Sequence, residues 1–303
     1  MKRDTEPVPH YIPAYTLLII AALLICTAIL SAGCLRTEQS PAPLSEPDDS
    51  AAHAQMLEIL STLQGDINTQ LLTLDRTAAE TAAELSENCS DTGTACTSDA
   101  LNTLLNADPS GKTVVTIAGN GTVLSGIPKE ETEMLIGKNL GTQSVVQTLF
   151  STKQALMSDL FSLEQGGYAA VIEYPVFSED DCLTGLVSLA FAPHEIIGRY
   201  AVPAVVGTPY TIMAAQTDGR ILYDADPREI GKETFNEPLY EDYPEILDFA
   251  RNLADTWSGY GTYSFYDTGF DRVVQKEAYW TTIGMHGTEW RLLIIREDVP
   301  GAR

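Results

Sequence analysis

The sequence predicts an α+β protein in which one long helix precedes two similar modules, each a five-stranded antiparallel sheet with helices on one face. Asn120-Gly121 and Asp218-Gly219 each separate two apolar runs and tolerate positive φ, so each predicts a hairpin. Ile-Gly-Lys follows both hairpins at a similar distance, at residues 136–138 and 230–232. A helical segment and further strand-like runs come next in both copies. The outer part of the chain therefore contains one module twice.

Residues 51–87 predict the long helix, because they contain no proline and a single glycine, Gly65. Apolar residues recur there at spacings of three, four or seven, which is typical of an amphipathic helix: Leu60, Leu63, Ile67, Leu71, Leu74, Ala78 and Leu85. Two interpretations stay open. The helix is a stalk or coiled-coil seam, or both modules pack against it and it carries motion toward a membrane.

The elements of each module follow from apolar runs and turn residues. In the first copy we expect a hairpin (residues 114–118 and 122–126), two helices (130–136 and 144–153), three strands (158–163, 168–177 and 183–192) and a helical connector (193–200). In the second copy we expect a hairpin (residues 210–215 and 220–224), a helix (243–257) and three strands (259–266, 272–283 and 290–297). The helix should bury a stripe formed by Ile246, Ala250, Leu253 and Trp257.

The N-terminus predicts a location outside the cell membrane. Residues 17–30 form an uncharged apolar run that leads into Ser31-Ala32-Gly33-Cys34. This resembles a signal peptide with lipid attachment at Cys34, although Leu30 stands one place earlier than the usual pattern. Counted from Tyr11 to Ala32, an uncleaved anchor of about 20 residues is the alternative.

We divide the chain into five parts on this basis. Residues 1–34 are the signal peptide or anchor, residues 35–50 a flexible tether, and residues 51–110 the long helix with short helices. Module one is residues 111–200 and module two is residues 201–298.

Charge and cysteines agree with an exterior location. The chain has 18 basic and 42 acidic residues, which argues against nucleic acid as a partner because phosphates repel it. Cys89 and Cys96 flank a short polar loop and are predicted to form a disulfide, whereas Cys182 is left over. The acidic composition and the sequons at Asn88 and Asn120 suggest an archaeal cell surface.

Several short motifs accompany the repeated order: Asn120-Gly121-Thr122-Val123, Ile136-Gly137-Lys138-Asn139, Tyr174-Pro175-Val176-Phe177 before an acidic turn and Gly185, Asp218-Gly219, Gly231-Lys232, and Ala278-Tyr279-Trp280. In combination, over residues 51–297, they resemble the double Cache family of extracellular sensor domains, which have two PAS-like modules behind a long helix. Members usually continue into a second membrane helix and a receptor or kinase domain. We see neither here, so the resemblance implies a sensor that acts with a separate membrane receptor or histidine kinase.

No pattern in the sequence calls for catalysis. The four histidines show no metal-binding spacing, and no Gly-x-Ser-x-Gly, P-loop or Cys-x-x-Cys occurs. Asp224 and Asp226 miss the spacing of a calcium loop. We therefore expect a binding protein without a cofactor or metal. The alternatives are a solute-binding lipoprotein that serves a transporter and a structural surface protein with filled pockets.

A PAS-like module binds its ligand between the sheet and the helices that cross it, so polar and aromatic strand residues are the candidates. They are Ser158, Asp159, Tyr168 and Tyr174 in module one, and Tyr223, Tyr263, Lys276, Tyr279 and Trp280 in module two. For each aromatic residue, core packing is the alternative. In the family the membrane-distal module usually binds, which by chain order is module one. We expect Tyr168 and Tyr174 to form walls there, with Asp159 as an anchor for a cationic or amine-bearing ligand.

Overall fold

A computed structural model describes residues 49–88, 94–163, 166–235, 242–269 and 271–298. The predicted anchor, Cys34, residues 35–48 of the tether and the side chains of Cys89 and Cys96 lie outside the described parts. Asp49 and Ser50, the last two residues of the predicted tether, are helical. Within those parts, no helix is both long enough and apolar enough to cross a bilayer.

The long helix, α1 (Asp49–Asn88), forms the centre of the molecule. Every residue of its predicted apolar stripe is buried, and Met56 extends the stripe by one turn. One hydrophobic core contains this stripe together with strand residues of both modules, including Ile172 and Leu292. Both modules therefore pack against the helix as predicted, while its role in carrying motion toward a membrane stays a prediction.

Module one follows a second helix, α2 (Thr94–Leu105). Its strands are β1 (Gly111–Ala118), β2 (Val123–Ile127), β3 (Leu156–Met157), β4 (Phe161–Ser162), β5 (Tyr168–Phe177) and β6 (Leu183–Phe191). The antiparallel order is β2-β1-β6-β5-β3, with β4 also paired to β5. Two helices, α3 (Lys129–Thr132) and α4 (Ser144–Thr152), lie between β2 and β3. The predicted helix over residues 130–136 is thus a single helical turn.

One predicted strand of module one differs from the structure. Residues 158–163 were expected to form a single strand, but Ser158–Leu160 separate β3 from β4. The backbone N–H of Leu160 donates to Gln216 Oε1 of module two at 2.6 Å, and the N–H of Val171 donates to Ser158 Oγ at 2.9 Å. These side-chain bonds replace regular strand pairing, so the first sheet has six strands rather than five.

Module two repeats the order of module one after the connecting helix α5 (Pro193–Val205). Its strands are β7 (Tyr210–Gln216), β8 (Ile221–Tyr223), β9 (Gly259–Tyr266), β10 (Val273–Met285) and β11 (Thr288–Asp298). Their antiparallel order is β8-β7-β11-β10-β9, as predicted for a five-stranded sheet. Gly121 and Gly219 both have positive φ, 85° and 90°, as expected at the two hairpin turns.

Helices cover both sheets from two sides. α1 packs on one face of each sheet, and the module's own helix packs on the other face. In module one, Leu149 of α4 contacts a core with Val115 and Leu186. In module two, helix α6 (Pro244–Asp255) places Phe249 and Leu253 against Trp280. Trp257 does not continue that stripe, because the helix ends before it and its side chain is 73% exposed.

Candidate functional site

Module one contains an open cleft of about 1350 Å³ on the sheet face that points away from α1. Strands β1, β5 and β6 form its floor, α3 and α4 form one side, and the segment around β3 and β4 forms another. Side chains alternate along β5, so Ala170 and Ile172 pack toward α1 while Val171 and Glu173 line the cleft. Ligand pockets occupy about 300–1,000 Å³, so this open cleft is large enough to hold a small molecule.

Glu173 is the buried charged group of the cleft floor. It is 2% exposed, and Ser188 Oγ donates a hydrogen bond to its Oε1 at 3.1 Å. Its other oxygen, Oε2, is buried and has no partner among the described residues. Burial raises the pKa of the carboxyl to about 7, although the Ser188 hydrogen bond lowers it.

The end of the cleft beside α5 carries further polar groups. Lys112 Nζ pairs with Glu195 Oε1 at 2.5 Å. His194 lies beside this pair, and its buried Nδ1 has no partner in the described parts of the chain. Burial lowers the pKa of His194, Glu195 raises it, and Lys112 lowers it further. The neutral imidazole is therefore favoured.

Three of the four predicted module one residues line the cleft: Ser158, Asp159 and Tyr168. The hydroxyl of Ser158 is already bonded, since it donates to the Asp159 carbonyl at 2.8 Å and accepts from Val171. Burial and the charge of Asp218 raise the pKa of Asp159, while Arg220 lowers it. Asp159 thus lies at the cleft edge that faces module two.

The Tyr168 ring packs against Gly231 of module two at the boundary between the modules. A Cβ atom at Gly231 would lie 1.9 Å from the Tyr168 ring, so this contact requires glycine in module two. Gly231 has a φ of 85°, which independently favours glycine.

Tyr174, the fourth candidate, lies on the opposite face of the sheet. Its hydroxyl donates to Asp75 Oδ1 of α1 at 2.7 Å. The predicted wall formed by Tyr168 and Tyr174 is therefore not assembled in the cleft. His286 Nε2 lies 2.6 Å from the same Asp75 oxygen, which joins the β10–β11 turn to α1 and β5.

That β10–β11 turn also borders the cleft, because His286, Gly287 and Thr288 are among its lining residues. Thr288 Oγ1 donates to the Met157 carbonyl at 2.5 Å. A hairpin of module two therefore closes one wall of the module one cleft and bonds to the long helix at the same place.

Module two has a smaller cavity, of about 110 Å³, between its sheet and α6. Tyr263 and Lys276 of the predicted set line it. Lys276 Nζ pairs with Glu297 Oε1 at 3.1 Å. Burial raises the pKa of the neighbouring Asp224 to about 6, and Glu229 and Asp226 also raise it, whereas the Asp226 N–H and Lys276 lower it.

The structure does not bring the other module two candidates into this cavity. Tyr279 packs against His53 of α1, and Tyr223 packs against Gly198 of α5. Trp280 is buried against Phe249, and its indole N–H donates to the Thr256 carbonyl at 3.3 Å. Their contacts are those of packed interior residues.

Comparison with known proteins agrees with this geometry. Residues 69–193 match the family model described as HK/GC/chemotaxis protein-like, sensor domain. An extracellular ligand binding receptor from Desulfohalobium retbaense has a similar structure, with 27% identity and a TM-score of 0.65. That match covers 80% of this chain, which spans 40% of the receptor chain. No curated protein matches the chain.

Two ligand-binding domains of amino acid chemoreceptors from Pseudomonas aeruginosa PAO1 share the fold. PctC in complex with GABA is 15% identical with a TM-score of 0.59, and the match covers 80% of this chain and 99% of PctC's. PctB in complex with L-Arg is 14% identical with a TM-score of 0.60, and the match covers 83% of this chain and 97% of PctB's.

The predicted resemblance to double Cache sensor domains is therefore confirmed. Residues 69–193 are thus similar to the sensor domains of histidine kinases and chemotaxis proteins, and the chain has the fold of an extracellular ligand binding receptor. The matched family is a sensor rather than a catalytic domain.

Proposed function

We propose that this protein is a membrane-anchored extracellular sensor that binds a small molecule in the module one cleft and acts with a separate membrane receptor or kinase. The observation that carries the proposal is the open cleft with a buried, incompletely paired carboxyl on its floor. Leaving such a group unpaired costs free energy, and functional sites are where such costs are found. A non-catalytic role fits the matched family.

The ligand we favour carries an amino group. The cleft holds Glu173 and Asp159, and its Lys112 is already paired with Glu195. A cationic group would therefore meet the Glu173 carboxyl, whose Oε2 has no partner among the described residues, whereas a simple carboxylate would be repelled by it. The GABA and L-Arg bound by the two chemoreceptors above both carry amino groups.

Binding in module one predicts different effects for two charge substitutions. Asp159→Ala should weaken or abolish the thermal shift produced by an amine, because the carboxyl lies at the cleft edge. Lys276→Ala is the matched control, since Lys276 lines the smaller cavity of module two. A thermal-shift screen with amino acids, amines, carboxylates and purines measures both variants. If Lys276→Ala alone removes binding, the site lies in module two.

Anchoring through Cys34 is a proposal that rests on residues 17–34 alone. If Cys34 is lipidated, the mature chain begins at this residue, and Cys34→Ser should leave the precursor unprocessed. Intact-mass measurement of membrane-extracted protein tests this. An unmodified chain that starts at Met1 would favour the uncleaved anchor. The Cys89–Cys96 disulfide and the archaeal cell surface stay predictions.

A further inference from the structure

Glu173 lies on β5, between β6 and the edge strand β3. It pairs across the ladder with Ser188 on one side and Leu156 on the other. Because the side chain points into the cleft and away from α1, its partners must come from cleft residues or from a bound molecule. Ser188 satisfies only Oε1, and Oε2 is left buried without a hydrogen bond in the described structure.

The described residues of the cleft provide no cation for this oxygen. Lys112 is paired with Glu195, and no salt bridge to Glu173 occurs among the described residues. The other titratable or charged side chains that line the cleft are Glu131, Lys138, Asp159, Tyr168, His194 and His286. Burial and the Ser188 hydrogen bond are the two causes of its shifted pKa, so none of these charges determines its titration.

We infer that Glu173 is the residue that recognises the cationic group of the ligand, and that cation binding is linked to release of a proton from this carboxyl. This inference rests on the proposed function. A ligand N⁺–H that reaches Oε2 would form a charge-assisted hydrogen bond and complete the bonding of a buried group. The ionised carboxylate binds a cation more strongly than the protonated acid does, because it adds an opposite charge to the hydrogen bond.

The linkage gives the sensor a pH dependence. With a pKa of about 7, Glu173 in the empty cleft is mostly protonated at pH 6 and mostly ionised at pH 8. The apparent affinity for a cation is proportional to the fraction of protein in which Glu173 is ionised. Between pH 8 and pH 6 that fraction predicts an affinity about tenfold weaker, at constant ligand charge.

The experiment is isothermal titration of the full-length chain in detergent, at pH 6 and pH 8. The probes are putrescine, L-arginine and γ-aminobutyrate, with acetate and succinate as anionic probes. Wild type should bind at least one of the amines about tenfold more tightly at pH 8. Glu173→Gln should weaken that binding at pH 8 and remove its pH dependence. Glu179→Gln, in the exposed turn after β5, is the matched control and should behave as wild type.

A second variant keeps the carboxyl and changes only its titration. The Ser188 hydrogen bond lowers the pKa of Glu173, so Ser188→Ala should move the midpoint of the pH dependence upward. If Glu173→Gln binds amines as wild type does, or keeps the pH dependence, the inference is wrong and His286 becomes the group to test. Binding of anionic probes alone would overturn the inference and the preference for an amine, but leave the role as a small-molecule sensor standing. Failure of the folded protein to bind any probe would count against the proposed function itself.

Discussion

Replacing Asp108 with alanine is expected to lower the free energy of unfolding by about 3 kcal/mol at pH 7. The Asp108 side chain is 1% exposed and receives two hydrogen bonds from Arg199, at 2.5 and 2.8 Å. It also accepts from the Ser110 N–H at 2.7 Å. The pair joins the segment before β1 to α5. Because Arg199 is 36% exposed, its unpaired guanidinium would be partly hydrated, which places the cost at the lower end for a buried pair.

The loss should depend on pH with a definite sign. Burial raises the pKa of Asp108, but the hydrogen bonds from Arg199 and Ser110 outweigh this and hold it below the ordinary 3.8. A lowered carboxyl pKa contributes stability that is present above 3.8 and lost as the pH falls through the folded value. Urea unfolding of the variant at pH 7 and pH 3 should therefore show the smaller deficit at pH 3.

Asp248→Ala provides the matched control, because Asp248 pairs with Arg251 at 2.8 Å on an exposed helix face. Its expected cost is below about 0.5 kcal/mol. Equal losses for the two variants at pH 7 would show that burial adds nothing to the Asp108 pair.

Most of the fold was predictable because it rests on local patterns. The stripe from Leu60 to Leu85 has helical spacing, and the whole of it is buried. Asn120-Gly121 and Asp218-Gly219 require positive φ at glycine, so two hairpins and the repeated module could be predicted from a few residues. The separation of β3 from β4 could not, because it depends on Gln216 from a distant strand.

The site was harder to predict because β5 is buried on both faces. Its sequence runs from Tyr168 to Phe177 almost without polar residues, so the alternation that normally separates core from cleft is not visible. Tyr174 was therefore predicted to line the cleft, whereas its hydroxyl bonds to Asp75 of α1. Glu173, the charged residue within that apolar run, was not predicted as a site residue. A lone carboxyl in a buried strand was the available signal, because such a group needs a partner.

Replacing Glu173 with glutamine is expected to raise the free energy of unfolding of the ligand-free protein at alkaline pH. The pKa of the carboxyl is raised from its ordinary 4.5 to about 7 by burial. A raised carboxyl pKa gives stability that is fully present below 4.5 and is lost as the pH rises through about 7. Glutamine has nearly the same size and can still accept from Ser188, but it carries no charge at any of these pH values.

Wild type should therefore lose about 2 to 3 kcal/mol relative to Glu173→Gln between pH 5 and pH 8. Urea unfolding of both proteins at the two pH values measures this difference, and Glu179→Gln on the exposed turn should track wild type throughout. A variant that is less stable than wild type by the same amount at both pH values would show that the Glu173 carboxyl does not titrate in this range. A variant that gains stability and loses amine binding would show that the fold retains this carboxyl for its ligand, at a cost in stability.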